Sequence, residues 1–146
     1  MIFLMLVLGI GVSGLPIELP FGQGSQGALE EEATVFAQAW KEKNSAGLRD
    51  RMLGTGIRLH LPDEEHLLIR PRQAQAALEE FLNRYAEGEA VLSRVALAGD
   101  DGQMGFAEIR WQTSSPGLSE AVTFTVFLGY ALDDGRWTVT EIRVLL

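Results

Sequence analysis

Apolar residues recur at two different spacings along the chain, every three or four positions in the first part and every second position after it. Between Ala28 and Lys43 the spacing is helical, which predicts an amphipathic helix. The apolar side of this helix comprises Leu29, Ala33, Phe36, Ala39 and Trp40. On its polar side glutamates precede lysines, an order that suits the helix dipole. The first predicted element is therefore a helix with one face for a core.

A short second helix and a hairpin are predicted next. Asn44-Ser45 has the residue types that end one helix and cap another, and Gly54-Thr55-Gly56 stops the second helix. In IRLHLP, which starts at Ile57, apolar and polar residues alternate as in a half-buried strand. The polar segment Asp63-Glu64-Glu65 predicts a turn, and residues 67–69 predict a short return strand.

A second amphipathic helix is predicted to open at Pro71, because the fixed φ of proline suits the first helical turn. Gly88 is placed to end it. Its apolar face comprises Ala74, Ala77, Leu78, Phe81, Leu82 and Tyr85. This pattern predicts a second helix against the same core.

The remainder of the chain has the composition of β-strands. Val, Ile, Thr and aromatic residues fill the segments 90–98, 104–113, 121–132 and 137–146. Asp101-Gly102 and Asp134-Gly135 separate two strand pairs, and Asp-Gly favours tight hairpins because both turn residues take positive φ. With the helices first and the strands last, the sequence predicts an α+β domain. Its sheet is a curved antiparallel four-strand meander with a short N-terminal hairpin.

The first 14 residues, MIFLMLVLGIGVSG, form an apolar run that ends in small residues. That order matches the hydrophobic region and cleavage site of a secretory signal peptide, although no basic residue precedes the run. Its glycines interrupt it before the roughly 20 apolar residues that a spanning helix needs. We therefore predict a cleaved signal peptide at 1–14, a linker at 15–27 and one domain at 28–146. The protein is then exported, periplasmic or extracellular, and has no membrane contact after cleavage.

Composition narrows the class of function. The formal charge is −8 with a pI near 4.7 and no run of basic residues, which argues against nucleic acid as a partner. The chain contains no cysteine, which excludes disulfides, thiolate nucleophiles and cysteine-ligated zinc. A length of 146 residues suits a single domain with its own core.

Three segments resemble a known superfamily. VFAQAWKEKNSAGLRDRM resembles the first helix and following turn of nuclear-transport-factor-two-like proteins. RPRQAQAALEEFLNRY resembles a helix in a bacterial group of exported members without an assigned function, and DDGRWTVTEIRVL is similar to the closing strand. The resemblance covers about residues 28–146 and implies a cone-shaped fold, in which a bent sheet wraps a long helix around a cavity. It implies no catalytic residues, because the superfamily hosts both enzymes and binding or dimerising modules.

The triplet Glu-Ile-Arg occurs on two predicted strands, at 108–110 and 141–143. Ala107, Ile109 and Trp111 make the apolar side of the first strand, so Glu108 and Arg110 are expected to lie outside.

The direction of Glu141 and Arg143 is open. Strict alternation from a two-residue turn at Asp134-Gly135 turns both charges toward the core. A one-residue bulge near Thr140 instead buries Ile142 and Val144 and turns the charges outward. We favour the bulge, because burying charges without full pairing is costly.

Two histidines flank an acidic segment, but their spacing matches no metal site, and a solvated hairpin explains them better. His66 is retained as a candidate general base, because its unperturbed pKa lies close to neutrality. No metal and no cofactor are expected.

The candidates for lining a ligand pocket are Trp40, Tyr85, Trp111, Tyr130, Glu141 and Arg143. From them we predict an exported, non-enzymatic module that binds an apolar small molecule or another protein. One alternative is an isomerase- or dehydratase-type cavity enzyme. In it Glu141 is the base, a tyrosine donates a hydrogen bond and Arg143 holds an anion. Another alternative is a homodimer formed through the exposed sheet face, with Phe127 as a contact.

Overall fold

The computed structural model describes residues 25–146. The predicted signal peptide and most of the predicted linker lie outside the described residues. The helices are α1 (Gln26–Lys41), α2 (Ser45–Arg49) and α3 (Pro71–Leu82). The strands are β1 (Ile57–Leu61), β2 (Glu64–Ile69), β3 (Glu89–Ala98), β4 (Met104–Ser114), β5 (Ala121–Asp133) and β6 (Arg136–Leu145). Within this part of the chain, no helix is long and apolar enough to cross a membrane.

Helix α1 begins at Gln26, two residues before the predicted start, because Ser25 supplies the cap. The hydroxyl of Ser25 accepts a hydrogen bond of 3.0 Å from the backbone N–H of Ala28. At the other end the helix stops at Lys41, and Lys43 adopts a φ of 55°. The helix therefore extends into residues that composition alone assigned to the linker.

Helix α3 ends at Leu82, so the predicted continuation to Tyr85 is wrong. Gly88 was predicted to end this helix, but the structure gives it a different role. A Cβ at this position would overlap the carbonyl oxygen of Gln112, because the start of β3 passes close to the backbone of β4. The glycine permits that close approach.

All six strands form one curved sheet in the order β2-β1-β6-β5-β4-β3. The predicted antiparallel meander is confirmed for β3 to β6, and the N-terminal hairpin joins it because β1 lies parallel to β6. The sheet is therefore mixed rather than purely antiparallel. In the hairpin the turn is at Pro62-Asp63, and Glu64 and Glu65 already belong to β2.

The hairpin between β5 and β6 has the predicted two-residue turn. Asp134 and Gly135 take φ values of 50° and 77°, and Leu132 pairs with Trp137. The turn between β3 and β4 is wider than a two-residue hairpin, because pairing stops at Ala98 and Met104. Only the β5–β6 turn therefore follows the tight Asp-Gly geometry.

The predicted bulge in β6 is present. Tyr130 pairs with Val139, but Gly129 pairs with Glu141, so Thr140 is the extra residue. Ile142 and Val144 consequently face the helices and are buried. The strand thereby keeps an apolar inner side along its whole length.

Candidate functional site

The inner face of the sheet carries a cluster of aromatic rings that contact one another. The ring of Trp111 stacks on Phe124 at a centroid distance of 5.0 Å, and Trp40 meets Trp111 edge-on at 5.5 Å. Tyr85 contacts both Trp111 and Phe124 at 5.3 Å. Phe81, from α3, completes the cluster. Three of the predicted pocket residues are therefore brought together, as packed rings that fill the space between the helices and the sheet.

Tyr130 lies apart from this cluster. It is six positions from Phe124 along β5, which corresponds to about 20 Å in an extended strand. Its side chain is 1% exposed, and its hydroxyl has no hydrogen-bond partner among the described residues. Burial raises the pKa of Tyr130, and the negative charge of Glu32 raises it further, whereas Arg51 lowers it. Tyr130 is therefore a buried neutral hydroxyl at the opposite end of β5.

Glu141 and Arg143 lie on the outer face of the sheet, away from the helices. The Oε1 atom of Glu141 is 3.3 Å from Nε of Arg143, and its Oε2 atom is 3.7 Å from Nη1 of Arg58. Gly129 faces Glu141 across the strands, and a Cβ there would lie 3.2 Å from Cβ of Glu141. The glycine leaves room for the carboxylate to lie along the sheet.

The cavity-enzyme alternative required Glu141, Arg143 and a tyrosine to converge. The structure does not bring these groups together, because the two charged residues and Tyr130 occupy opposite faces of the sheet. Arg143, the last of the six predicted pocket residues, is half exposed and contacts Glu141 on the same strand. The six candidates thus form three separate sets, namely the packed rings, the buried hydroxyl and the outer ion pair.

The first Glu-Ile-Arg triplet follows its prediction. Ile109 is buried, whereas Arg110 is exposed and Glu108 is half-buried on the outer face. Arg110 lies opposite Thr125, as the alternation of β5 requires. Both triplets therefore place their charges on one surface.

A pair of stacked phenylalanines lies at the middle of that surface. The rings of Phe106 and Phe127 are 5.8 Å apart with 23° between their planes, and both side chains are half-buried. The guanidinium of Arg94 lies 5.0 Å from the ring centroid of Phe106. Phe106 and Arg94 were not among the predicted site residues. The strict alternation of residues along β4 was the signal that could have identified Phe106 as outward-facing.

Exposed apolar side chains surround the stacked pair. Val91, Met104 and Leu145 are 59%, 57% and 42% exposed, and their pairing partners place all three on the outer face. We call Val91, Met104, Phe106, Phe127 and Leu145 the sheet-face patch. The charged residues around it include Arg58, Arg94, Glu108, Arg110, Glu141 and Arg143, with Glu89, Asp133 and Arg136 near the strand ends on the same face.

The two histidines point in different directions. His66 pairs with the inward-facing Leu59, and its Nε2 atom is 3.1 Å from Oε2 of Glu64. His60 faces outward, with Nδ1 3.8 Å from Oε2 of Glu65. Between residues 25 and 146, no three metal-ligating side chains of His, Asp or Glu come together. The candidate base His66 therefore lies in a groove between β2 and α3, on a strand that is separated from the strand of Tyr130 by β1 and β6.

No protein-family model matches the sequence, and no curated protein matches it significantly. Solved structures do match its fold. A DUF4783 family protein from Bacteroides uniformis has a TM-score of 0.63 at 18% identity, over 76% of this chain and 93% of that one. An NTF-2-like protein of unknown function from Shewanella oneidensis has a TM-score of 0.60 at 13% identity, over 81% and 96%.

A third match is a hypothetical protein from Catenulispora acidiphila with a ketosteroid isomerase-like fold, solved with trimethylamine. Its TM-score is 0.62 at 13% identity, over 80% of this chain and 85% of that one. Identities this low carry the architecture and no activity. Helices packed inside a curved, unclosed sheet and these three matches together establish that the chain has the nuclear-transport-factor-two-like fold.

Proposed function

We propose that this protein is a non-catalytic interaction module that pairs with a second copy of itself through the outer face of its sheet. The observation that carries the proposal is the sheet-face patch. A stacked aromatic pair at the centre of an exposed apolar surface, with charges around it, has the anatomy of a protein interface. No element among residues 25–146 covers this face.

The charges around the patch support a self-complementary contact. The surface carries arginines and acidic residues side by side, although the whole chain has a net charge of −8. In a two-fold symmetric pair, acidic residues of one copy can face arginines of the other copy. A second copy therefore supplies opposite charges at the rim and an aromatic pair at the centre.

The packed interior supports a non-catalytic role. Catalysis in a cavity needs at least two polar groups that converge on a reacting atom. The rings of Trp40, Tyr85 and Trp111 contact each other instead, and the charged candidates lie outside.

Substitution of Phe127 by Asp tests the proposal. The carboxylate would lie in the centre of the proposed contact, so we expect the full chain to change from dimer to monomer in size-exclusion chromatography with light scattering. Circular dichroism verifies that the variant remains folded.

Val35→Asp is the matched control. Val35 is an exposed valine on α1, which lies on the other side of the sheet, and its substitution introduces the same charge. We expect this variant to remain dimeric. A wild-type chain that is monomeric at high micromolar concentration, or a Phe127→Asp variant that is still dimeric, would contradict the proposal.

The unpartnered hydroxyl of Tyr130 favours a second candidate, the binding of a small molecule inside the domain. A buried donor without a partner costs free energy that a ligand acceptor would recover. Mass spectrometry of metabolites retained by the full chain, compared with a Tyr130→Phe variant, tests it. Retention that is equal in both proteins, or absent in both, counts against this candidate.

Export is part of the proposal and rests on residues 1–14 alone. Intact-mass measurement of the protein expressed in a bacterial host with a periplasm tests it. We expect loss of the mass of about the first 14 residues, as the sequence predicts. A cytoplasmic product of full mass would exclude cleavage.

A further inference from the structure

The edge of the sheet at β2 carries a second exposed apolar feature, on a different side of the molecule from the sheet-face patch. β2 is the terminal strand, and no further strand pairs with it among the described residues. Leu67 and Leu68 are each 73% exposed. Exposed leucines on a free strand edge are uncommon, because natural edges are usually protected by charge, proline or a covering element.

A bulge explains how two adjacent leucines both reach the surface. Ile57 pairs with Ile69 and Leu59 pairs with His66, so Leu67 and Leu68 together oppose the single residue Arg58. The segment from Glu64 to His66 keeps regular pairing with β1. Its outer edge therefore retains the backbone geometry that accepts another strand.

A groove of about 430 Å³ lies beside this edge, between β2 and α3. Leu68, Ala76 and Ala77 form its apolar part, and Glu64, His66 and Glu80 form its polar part. The volume is suited to a few side chains. The groove is continuous with the edge, since Leu68 lines it and belongs to β2.

The charge of the groove is acidic. Glu64 contacts His66, and Glu80 contacts Arg84 at 3.4 Å, but both carboxylates remain accessible to solvent. Glu65, on the other face of β2, is the second carboxylate of that strand. A partner with cationic side chains is complementary to this surface, and an acidic partner is repelled.

We propose that β2 and α3 bind an extended peptide segment of another protein, in which apolar residues and lysine or arginine both occur among the side chains on its groove-facing side, at every second position. The segment adds a strand to the edge at Glu64–His66. Its apolar side chains contact Leu68 and Ala76, and its cationic side chains lie near Glu64 and Glu80. This site is independent of the outer sheet face.

The test uses a fluorescein-labelled octapeptide with lysine and valine in turn at every second position and threonine between them, so that lysine and valine share one face, and a matched octapeptide with glutamate in place of lysine. Binding to the full chain is measured by fluorescence anisotropy, and the site is located by backbone amide shifts in NMR spectra. We expect the lysine peptide to bind and the glutamate peptide not to bind, with the largest shifts on β2 and the facing side of α3.

Leu68→Glu separates specific docking from simple charge attraction. The change removes the apolar contact, so we expect affinity for the lysine peptide to fall about tenfold or more. It also adds a negative charge, so attraction by charge alone would strengthen. Leu118→Glu is the matched control, because Leu118 is an exposed leucine outside β2 and α3, and we expect it to bind like wild type.

Several outcomes would overturn the inference. They are no binding of the lysine peptide at millimolar concentration, equal or tighter binding by Leu68→Glu, and shifts centred on β3, the opposite edge. A dimer that Leu68→Glu dissociates would assign the edge to a second copy instead. Failure of the sheet-face dimer leaves this test unaffected, because Phe127→Asp and Leu68→Glu change different surfaces.

Discussion

The inner and outer faces of the sheet are made by the same strands, yet their side chains have different surroundings. On the inner face Ile109, Trp111 and Val126 are at most 2% exposed and contact other apolar side chains. On the outer face the alternate residues are charged or half-exposed, with aromatic rings among arginines. The comparison indicates that the inner face supplies the packing that stabilises the fold, whereas the outer face is exposed to other molecules.

Inserting one alanine between Glu141 and Ile142 is the strongest way to break this comparison. The extra residue reverses the alternation that follows Glu141, so Arg143 would turn to the inner face and Ile142 and Val144 would turn outward. Burying an unpaired charge costs several kcal/mol, and exposing each aliphatic side chain costs about 1.5–3 kcal/mol more, which together is comparable with the whole stability of about 5–15 kcal/mol. We expect loss of cooperative unfolding in urea, followed by circular dichroism.

A matched insertion in a loop provides the control for that experiment. Inserting one alanine after Leu118, which is exposed in the connection between β4 and β5, should leave a cooperative transition. If the insertion after Glu141 unfolds at the same urea concentration as wild type, the register of β6 does not determine which face carries the charges.

Trp111→Ala measures the contribution of the packed rings. Trp111 is buried and contacts four other aromatic side chains, so its removal leaves a large cavity. We expect the free energy of unfolding to fall by about 3–5 kcal/mol. Phe106→Ala, which removes a half-buried ring from the outer face, should cost clearly less. Equal losses in urea denaturation would mean that the two faces contribute alike.

Tyr130→Phe sharpens the comparison within the inner face. The change removes a buried hydroxyl without a partner, so we expect the free energy of unfolding to rise by about 1 kcal/mol. Thermal unfolding with Tyr85→Phe as the comparison measures the difference. A decrease in stability would mean that the hydroxyl makes a hydrogen bond in the folded protein.

Glu141→Gln has the smallest expected effect. Its ion pairs with Arg58 and Arg143 are at the surface, where such contacts contribute about 0–1 kcal/mol. We expect a loss of that size at low ionic strength, and a smaller loss in high salt because salt screens surface charges. A loss that does not change with salt would indicate a packing role for Glu141 above Gly129.

Much of the fold follows from periodicity. The alternation in β4 predicted the outward direction of Glu108 and Arg110, and the cost of burying charge predicted the bulge at Thr140. Two of the local errors had local causes. The cap at Ser25 moved the start of α1 to Gln26, and Glu64 and Glu65 joined β2 because pairing with β1 outweighed their low strand propensity.

The candidate site was harder to predict, because pocket lining and core filling require the same residue types. From the sequence, Trp40 and Trp111 could either line a pocket or fill the core. Only the distance between their rings distinguishes the two. The parallel pairing of β1 with β6 joins segments about 80 positions apart, and no local pattern carries that information. The groove at α3 depends on this placement of β2, so it could not be derived from sequence spacing.

The place of β6 has a consequence for synthesis of the protein on the ribosome. This strand follows all the others in sequence, yet it lies inside the sheet between β1 and β5. Until Leu145 has emerged, the β1–β2 hairpin and the β3–β5 meander have no strand to join them, and both present open edges. Unpaired strand edges of this kind in a nascent chain bind chaperones and promote aggregation.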